Sequence, residues 1–396
     1  MQRFTILEGW RALLAWWVVI SHTLALSGYS RTDLVNQRNA ANTGSFDFAG
    51  WIEYLWTEII VLARSGKIPV YVFVMMSGFV IVHLLSMKKE PYGIYIMRRF
   101  LRLWPALMFV LVLYGAFYLV GHPVRNPDHF WSHFVLEATM LHGLVPNEMF
   151  NQAANALSGP GWSISLEWQF YLVAPFVVAA FVKGGWRSMI FIAALMIAFF
   201  YGMLNSKGLT FGGAEYHWNN PSALPHIFGF FCFGMASYYA FRKIGESKVK
   251  AVFPVLGIVA ASFVAIGFMG PEGRDPPMII WVIVFASLIT SGTWMHKLVD
   301  SKFLHWIGNM SYSTYITHMF VLTAMHRFFI RHMASNDTLE KFFLTIVISW
   351  PVIIIVSMIS YYLIEKPAIN LGRKLAKRMT KAPEPNPPQT PTSAAP

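Results

Sequence analysis

Arg11 and His22 stand in one apolar run, eleven residues apart, and lipid tolerates neither side chain without a reason. On a helix that spacing leaves them about 20° apart on one face and about 16 Å apart along the axis. An imidazole at that depth can act as a general base that takes the proton from a hydroxyl. The plainer reading is a core histidine hydrogen-bonded to a neighbouring helix. Arg99 and Arg102, in Arg98-Arg99-Phe100-Leu101-Arg102, share a face at i, i+3. Guanidinium groups suit phosphate because they offer paired donors in a planar fork. Ordinary anchoring at a membrane boundary accounts for Arg98 and Arg99, and less well for Arg102, which lies one turn deeper.

Two further stretches carry polar chemistry. Gly161 to Tyr171, GWSISLEWQFY, puts Glu167 at an apolar helix start, one turn from Ser163, with Ser165 between them. Ser163 as a helix cap and Trp168 and Tyr171 as interfacial aromatics explain most of it, but leave the carboxylate costly. An acid there can orient an imidazole or trade protons with it. Ser311 to His318, SYSTYITH, sets two tyrosines and a histidine on an otherwise apolar helix. Interhelical hydrogen bonding and a substrate-lining role for Tyr315 and His318 both remain open. Glu365-Lys366-Pro367 reads as structural, with Pro367 stopping the last helix. No glycine-rich phosphate loop, G-x-S-x-G elbow or HExxH pattern occurs, and the histidines lack ligand spacing, so no metal is expected.

Helices in lipid must position these residues. The chain has 396 residues, 56% hydrophobic and 13% charged, where a globular domain carries about 25% charged residues. One soluble core cannot bury so much apolar chain. Apolar runs of spanning length fall at 10–28, 66–86, 98–120, 163–182, 188–204, 224–241, 251–269, 277–295, 309–330 and 341–364. The fold expected is therefore all-α, a polytopic membrane bundle of about ten transmembrane helices. One extra helix, Phe130 to Leu144, is too short to cross comfortably and is read as partly embedded on the outer side.

Charge supports that count. With the N-terminus inside, the inner segments hold about twice as many Lys and Arg as the outer ones. Counting 130–144 as a span inverts every later loop and loses the bias. Both termini are thus expected to be cytoplasmic. The net charge of +12 is explained by this orientation signal, so no nucleic-acid partner is expected. The single cysteine, Cys232, excludes an intrachain disulfide and a cysteine metal site. Ala25-Leu26-Ser27 looks like a signal-peptidase site, but Trp16, Trp17 and His22 are unusual in a signal peptide, and the span is read as retained. The organisation expected is a membrane domain over 1–370 and a tail over 371–396, basic and then Pro-rich and disordered.

Taken in order, these segments resemble acyltransferase family 3, a family of integral-membrane O-acyltransferases. Leu7-Glu8-Gly9-Trp10-Arg11, with His22, is similar to the family's L-E/D-G-x-R pattern followed after ten residues by His. Arg99 and Arg102 match its R-x-x-R, and Trp162 to Leu172 match W-S-L-S-x-E-W-Q-F-Y-L with Ile164 in place of a leucine. Ser77-Gly78-Phe79, Ser311 to His318 and Ile364 to Pro367 fit further patterns, so the likeness runs from Leu7 to Pro367. Some relatives carry a fused C-terminal hydrolase-like domain, and none is expected here.

The resemblance implies an enzyme with no permanently bound cofactor. Acyl-CoA, with acetyl-CoA the first candidate, is the implied co-substrate, bound from the cytoplasm by Arg11, Arg99 and Arg102. His22 would deprotonate an acceptor hydroxyl or pass the acyl group on, and Glu167 would set its tautomer or charge. Ser163, Ser165, Tyr315 and His318 would line the substrate path. The implied acceptor is a cell-surface or lipid-linked glycan, and the implied location is the bacterial inner membrane. Two other classes compete on the residues alone. A transporter of an acylated sugar or lipid also uses buried charges, but it calls for paired halves, and no internal repeat is evident. A sensory or structural membrane protein gives no reason for His22 and Glu167.

Overall fold

The computed structural model describes residues 4–30, 32–34, 36, 48–87, 90–122, 124, 127–145, 157–205, 209–211, 214–216, 223–244, 277–289, 294–335 and 337–380. The described chain is helical apart from one short antiparallel hairpin, β1 (Leu209–Phe211) and β2 (Ala214–Tyr216). Helices α1 (Thr5–Leu26), α2 (Phe48–Arg64), α3 (Lys67–Met87) and α4 (Tyr92–Leu119) come first. Then follow α5 (Phe130–Ala138), α6 (Gly161–Asn205), α7 (Leu224–Ile244), α8 (Pro277–Ile289), α9 (Trp294–Val299) and α10 (Lys302–Asn309). Last are α11 (Ser311–Met325), α12 (Thr338–Ile359) and α13 (Lys366–Thr380).

Four of the described helical stretches are long and apolar enough to cross a membrane: Lys67–Met87, Tyr92–Leu119, Gly161–Gly185 and Thr338–Thr380. The expected all-helical membrane bundle is therefore present, while the count of ten spans goes beyond these four. The expected span 251–269 lies outside the described residues. Gly185, at φ 63° and ψ −149°, breaks α6 where a side chain would be strained, which divides the expected spans 163–182 and 188–204. α5 has nine residues and ends before a 3₁₀ turn at His142–Leu144, so it is too short to cross.

Two features depart from the sequence reading. α2 was not foreseen, because Glu53 and Glu58 interrupt its apolar run. Its exposed stripe of Ile52, Trp56 and Ile59 follows helical spacing. Pro367 does not stop the last helix: a π-turn over Ser360–Glu365 precedes it, and Pro367 falls in the first turn of α13. The proline follows directly on that widened turn, in which Lys366 N–H bonds to Tyr361 O, so the missing N–H of Pro367 falls where the regular ladder is already interrupted. The stretch 371–380, expected as the basic first part of the tail, is the end of an amphipathic helix. Residues 381–396 lie outside the described residues.

α1 packs against α3, α10 and α11, so the helix carrying Arg11 and His22 is held on several sides. A close crossing joins α3 and α7. Gly78 lies against the backbone of Phe231, and Gly234 against that of Met75, so a Cβ at either would push the helices apart.

α5 anchors the chain leading into α6. Glu137 is buried and accepts hydrogen bonds from the backbone N–H of Ser158, at 3.3 Å, and from the Ser158 hydroxyl. Burial raises its carboxyl to about 7, with the Ser158 bonds pulling the other way. The folded chain therefore binds a proton more readily than the unfolded chain between about 4.5 and 7, and stability falls as pH rises through that window. The span corresponds to about 3 kcal/mol. Thermal unfolding in detergent should show this slope in the native protein and lose it in Glu137→Gln. An unchanged slope would assign it to other groups.

Candidate active site

Two cavities lie back to back in the bundle. One, of about 430 Å³, is lined by Arg11, Arg99, Arg102, Glu167 and, from α13, Arg373. The other, of about 640 Å³, is lined by His22, Arg64, Lys67, Tyr114 and Trp162. Val70 and Tyr315 line both. These two pack with Val18 and Trp162 as a small apolar cluster of their own, which forms the septum between the cavities. The Tyr315 and Ser163 hydroxyls are 2.7 Å apart in that septum, and Ser163 also donates to Pro160 O at 3.2 Å.

The arginine cavity carries more positive than negative charge. Arg98 is drawn away from it by Glu90, at 2.8 and 3.0 Å. Arg99 faces in, buried, with its guanidinium carbon 5.5 Å from the Tyr95 ring centroid and 5.4 Å from that of Tyr171. Its Nε has no hydrogen-bond partner. Arg11 Nε donates to Ser311 Oγ at 3.1 Å. Arg102 acts electrostatically with Glu167 and Glu365. Glu365 is fixed by Ser313, whose hydroxyl donates to it at 2.7 Å. The shared face that the i, i+3 spacing predicts for Arg99 and Arg102 is therefore the face that meets the cavity.

Glu167 belongs to this cavity as well. It accepts from the Ser77 hydroxyl at 3.2 Å and from the Tyr171 hydroxyl. The structure does not bring it to His22, which lines the other cavity, so the expected Glu167–His22 pairing is absent. The neighbour of His22 is His318 instead, with ring centroids 5.3 Å apart. His318 is fully buried and its Nδ1 lies 2.6 Å from Tyr315 O and 3.2 Å from Thr314 O. Bonding to carbonyls requires the proton on Nδ1 and leaves Nε2 with a lone pair, which has no partner.

The other expected lining residues divide. Ser163 lines the arginine cavity and Tyr315 lines both, whereas His318 lies behind the cavity wall. Ser165 lines neither: it accepts from Gly143 N–H at 3.1 Å and from the Gln169 amide at 3.0 Å, tying the 3₁₀ turn to α6. Arg373 was missed because its basic stretch reads as tail. Its signal was the i, i+4 spacing of the small residues Gly372 and Ala376, which form the buried face of the helix among basic neighbours.

Comparison with known proteins assigns the family. An acyltransferase-domain model, that of acyltransferase family 3, matches residues 4–364. The chain belongs to this family, and four of its described helices are long and apolar enough to cross a membrane. It is 26% identical over 297 residues to the peptidoglycan O-acetyltransferase OatA of Listeria monocytogenes serovar 1/2a (strain ATCC BAA-679 / EGD-e), covering 66% of this chain and 46% of that protein. It is 25% identical over 120 residues to the acyltransferase MdmB of Streptomyces mycarofaciens, covering 30% of each. The chain thus spans less than half the length of either relative. No solved structure matches it significantly.

Proposed function

We propose that the chain transfers an acyl group, with acetyl the first candidate, from cytoplasmic acyl-CoA to a hydroxyl of a cell-surface or lipid-linked glycan. The observation that carries this reading is the pair of cavities with different chemistry sharing Tyr315 and Val70 as their common wall. The arginine cavity suits the phosphates of a coenzyme A donor, and the histidine cavity suits a hydroxyl acceptor. On this reading both termini are cytoplasmic and the arginine cavity opens inward. The likeness to OatA, a peptidoglycan O-acetyltransferase, supports a glycan acceptor.

The chemistry then follows. The thioester reaches the septum, where the Ser163 and Tyr315 hydroxyls can donate to the carbonyl oxygen as it becomes an oxyanion. His22 takes the proton of the acceptor hydroxyl as its oxygen attacks the carbonyl carbon. The C–S bond breaks, coenzyme A leaves as a thiolate that receives the proton held by His22, which regenerates the base, and the acceptor keeps the ester. His318, with its proton held on Nδ1, offers its Nε2 lone pair to the neighbouring imidazole and so positions the base. Glu167, held by Ser77 and Tyr171, balances the arginines that bind the donor.

Purified protein in nanodiscs, given acyl-labelled acetyl-CoA and peptidoglycan fragments, should release coenzyme A and label the glycan. Cells lacking the gene should show less O-acylated surface glycan. Neither release nor labelling, from folded protein that binds acetyl-CoA, would reject the reading.

A further inference from the structure

A third cavity, of about 610 Å³, lies where the end of α1 meets the start of α12 and the π-turn His326–Ile330 that continues α11. Its charged lining is wholly basic: His326, Arg327 and Arg331 from the π-turn side and Lys341 from α12, with no carboxylate among the described residues that line it. The described ion pairs involve none of these three cations. The acids nearest in sequence are committed elsewhere. Asp337 accepts from Leu339 N–H at 2.7 Å, and Glu340 accepts from Ser335 N–H at 3.3 Å and from the Ser335 hydroxyl. His326 Nδ1 is buried without a hydrogen-bond partner, and Lys341 and Arg331 both act electrostatically on that ring.

A cation at a helix C-terminus needs no ligand, because it offsets the carbonyls there. Arg331, in the last turn before Ala334, fits that account. Lys341 does the opposite, since it stands at the N-terminal end of α12, where the helix dipole disfavours a cation. Three carbonyls at the end of α1 are already taken: Ser27, Gly28 and Tyr29 N–H bond to Thr23, Ala25 and Leu24 O at 3.0, 3.2 and 3.0 Å. The π-turn widens the helix and re-aims its side chains, here bringing His326 and Arg327 to the cavity. Exposed Phe329, Met333, Leu339 and Phe343 stand on the same two segments as the cations, a surface that suits a hydrocarbon tail and not a soluble anion. Thr323 lines both this cavity and the histidine cavity, so a group held here abuts the space that His22 lines.

We propose that this cavity holds the phosphate of a membrane lipid, with Arg327, Arg331 and Lys341 around the phosphate and the tail on the adjacent apolar surface. Arginine offers paired donors to phosphate oxygens, and lysine adds a point charge. The site goes beyond the acyl-transfer reading and does not depend on it.

Native mass spectrometry of the full chain in a neutral detergent tests this with phosphatidic acid, phosphatidylglycerol and diacylglycerol of matched chains. At least one phospholipid should bind about tenfold more tightly than diacylglycerol, the size of one hydrogen bond to a charged group. Arg327→Gln/Arg331→Gln/Lys341→Gln should abolish that preference. The chain carries a net charge of +12, so loss of any cations weakens its general attraction for anionic lipid. Lys374→Gln/Lys377→Gln/Arg378→Gln removes as much charge from exposed positions of α13 and should keep the preference. Because Arg331 is exposed, Arg331→Gln alone, which should lose part of the preference, keeps the test valid if the triple variant fails to fold. Equal affinities for all three lipids, a preference surviving in the cavity variant, or equal losses in the two triple variants would overturn the proposal. Inorganic phosphate that displaces the phospholipid at equal concentration would show that the tail adds nothing, and would overturn the lipid as the source. Tighter binding of phosphatidic acid supports a phosphate monoester in the site, and tighter binding of phosphatidylglycerol supports a diester.

Discussion

His22→Ala should cut acyl transfer by about 100-fold or more while leaving donor binding almost unchanged. The size is that of a lost general base. The independence from donor binding comes from geometry, since Arg11 lies about 16 Å away along α1 and the septum stands between the two cavities. His22→Gln keeps a polar side chain but cannot take up a proton, so it should be as inactive as the alanine variant. Turnover near normal in the glutamine variant would make His22 a packing residue. His318 gives the finer test. As a positioning group it should change how turnover depends on pH when replaced by Gln, because it alters the neighbour of the base. A packing role would lower turnover equally at every pH.

What the sequence revealed of this site was what one helix can encode. Arg11 and His22 are legible because eleven residues make nearly three whole turns of one continuous helix, and α1 is continuous from Thr5 to Leu26. Arg99 and Arg102 separate from Arg98 for the same reason, since neighbours in sequence lie on different faces. The pairing of side chains from distant helices was not legible. Glu167 was expected beside His22, but its position depends on how α6 packs on α3, which brings Ser77 to it. His318 meets His22 across the α1–α11 contact, and no local pattern records that crossing. Ser165 looked equivalent to Ser163 two residues away, but two residues on a helix turn a side chain about 200°, and it serves the α5–α6 connection instead.

Arg102→Ala should weaken acetyl-CoA binding by about 10- to 100-fold, the range of one lost hydrogen bond to a charged group. Arg102 differs from its neighbours in making no hydrogen bond or ring contact among the described residues: Arg98 is bonded to Glu90, Arg99 is packed between two tyrosine rings, and Arg11 is bonded to Ser311. Its role against Glu167 and Glu365 is electrostatic, so a donor phosphate can claim its planar fork. Arg102→Lys should recover only part of the loss, because an ammonium keeps the charge without the fork. Removing the cation also leaves the buried Glu365 and the half-buried Glu167 less balanced, so a fall in affinity could come from disturbed packing. A donor without phosphate separates the causes. The native protein should prefer acetyl-CoA strongly over acetyl-pantetheine, and Arg102→Ala should shrink that preference by the factor it loses on acetyl-CoA. If both donors weaken equally, Arg102 holds the helices together and the phosphates are bound by other residues, with Arg373 the next to test.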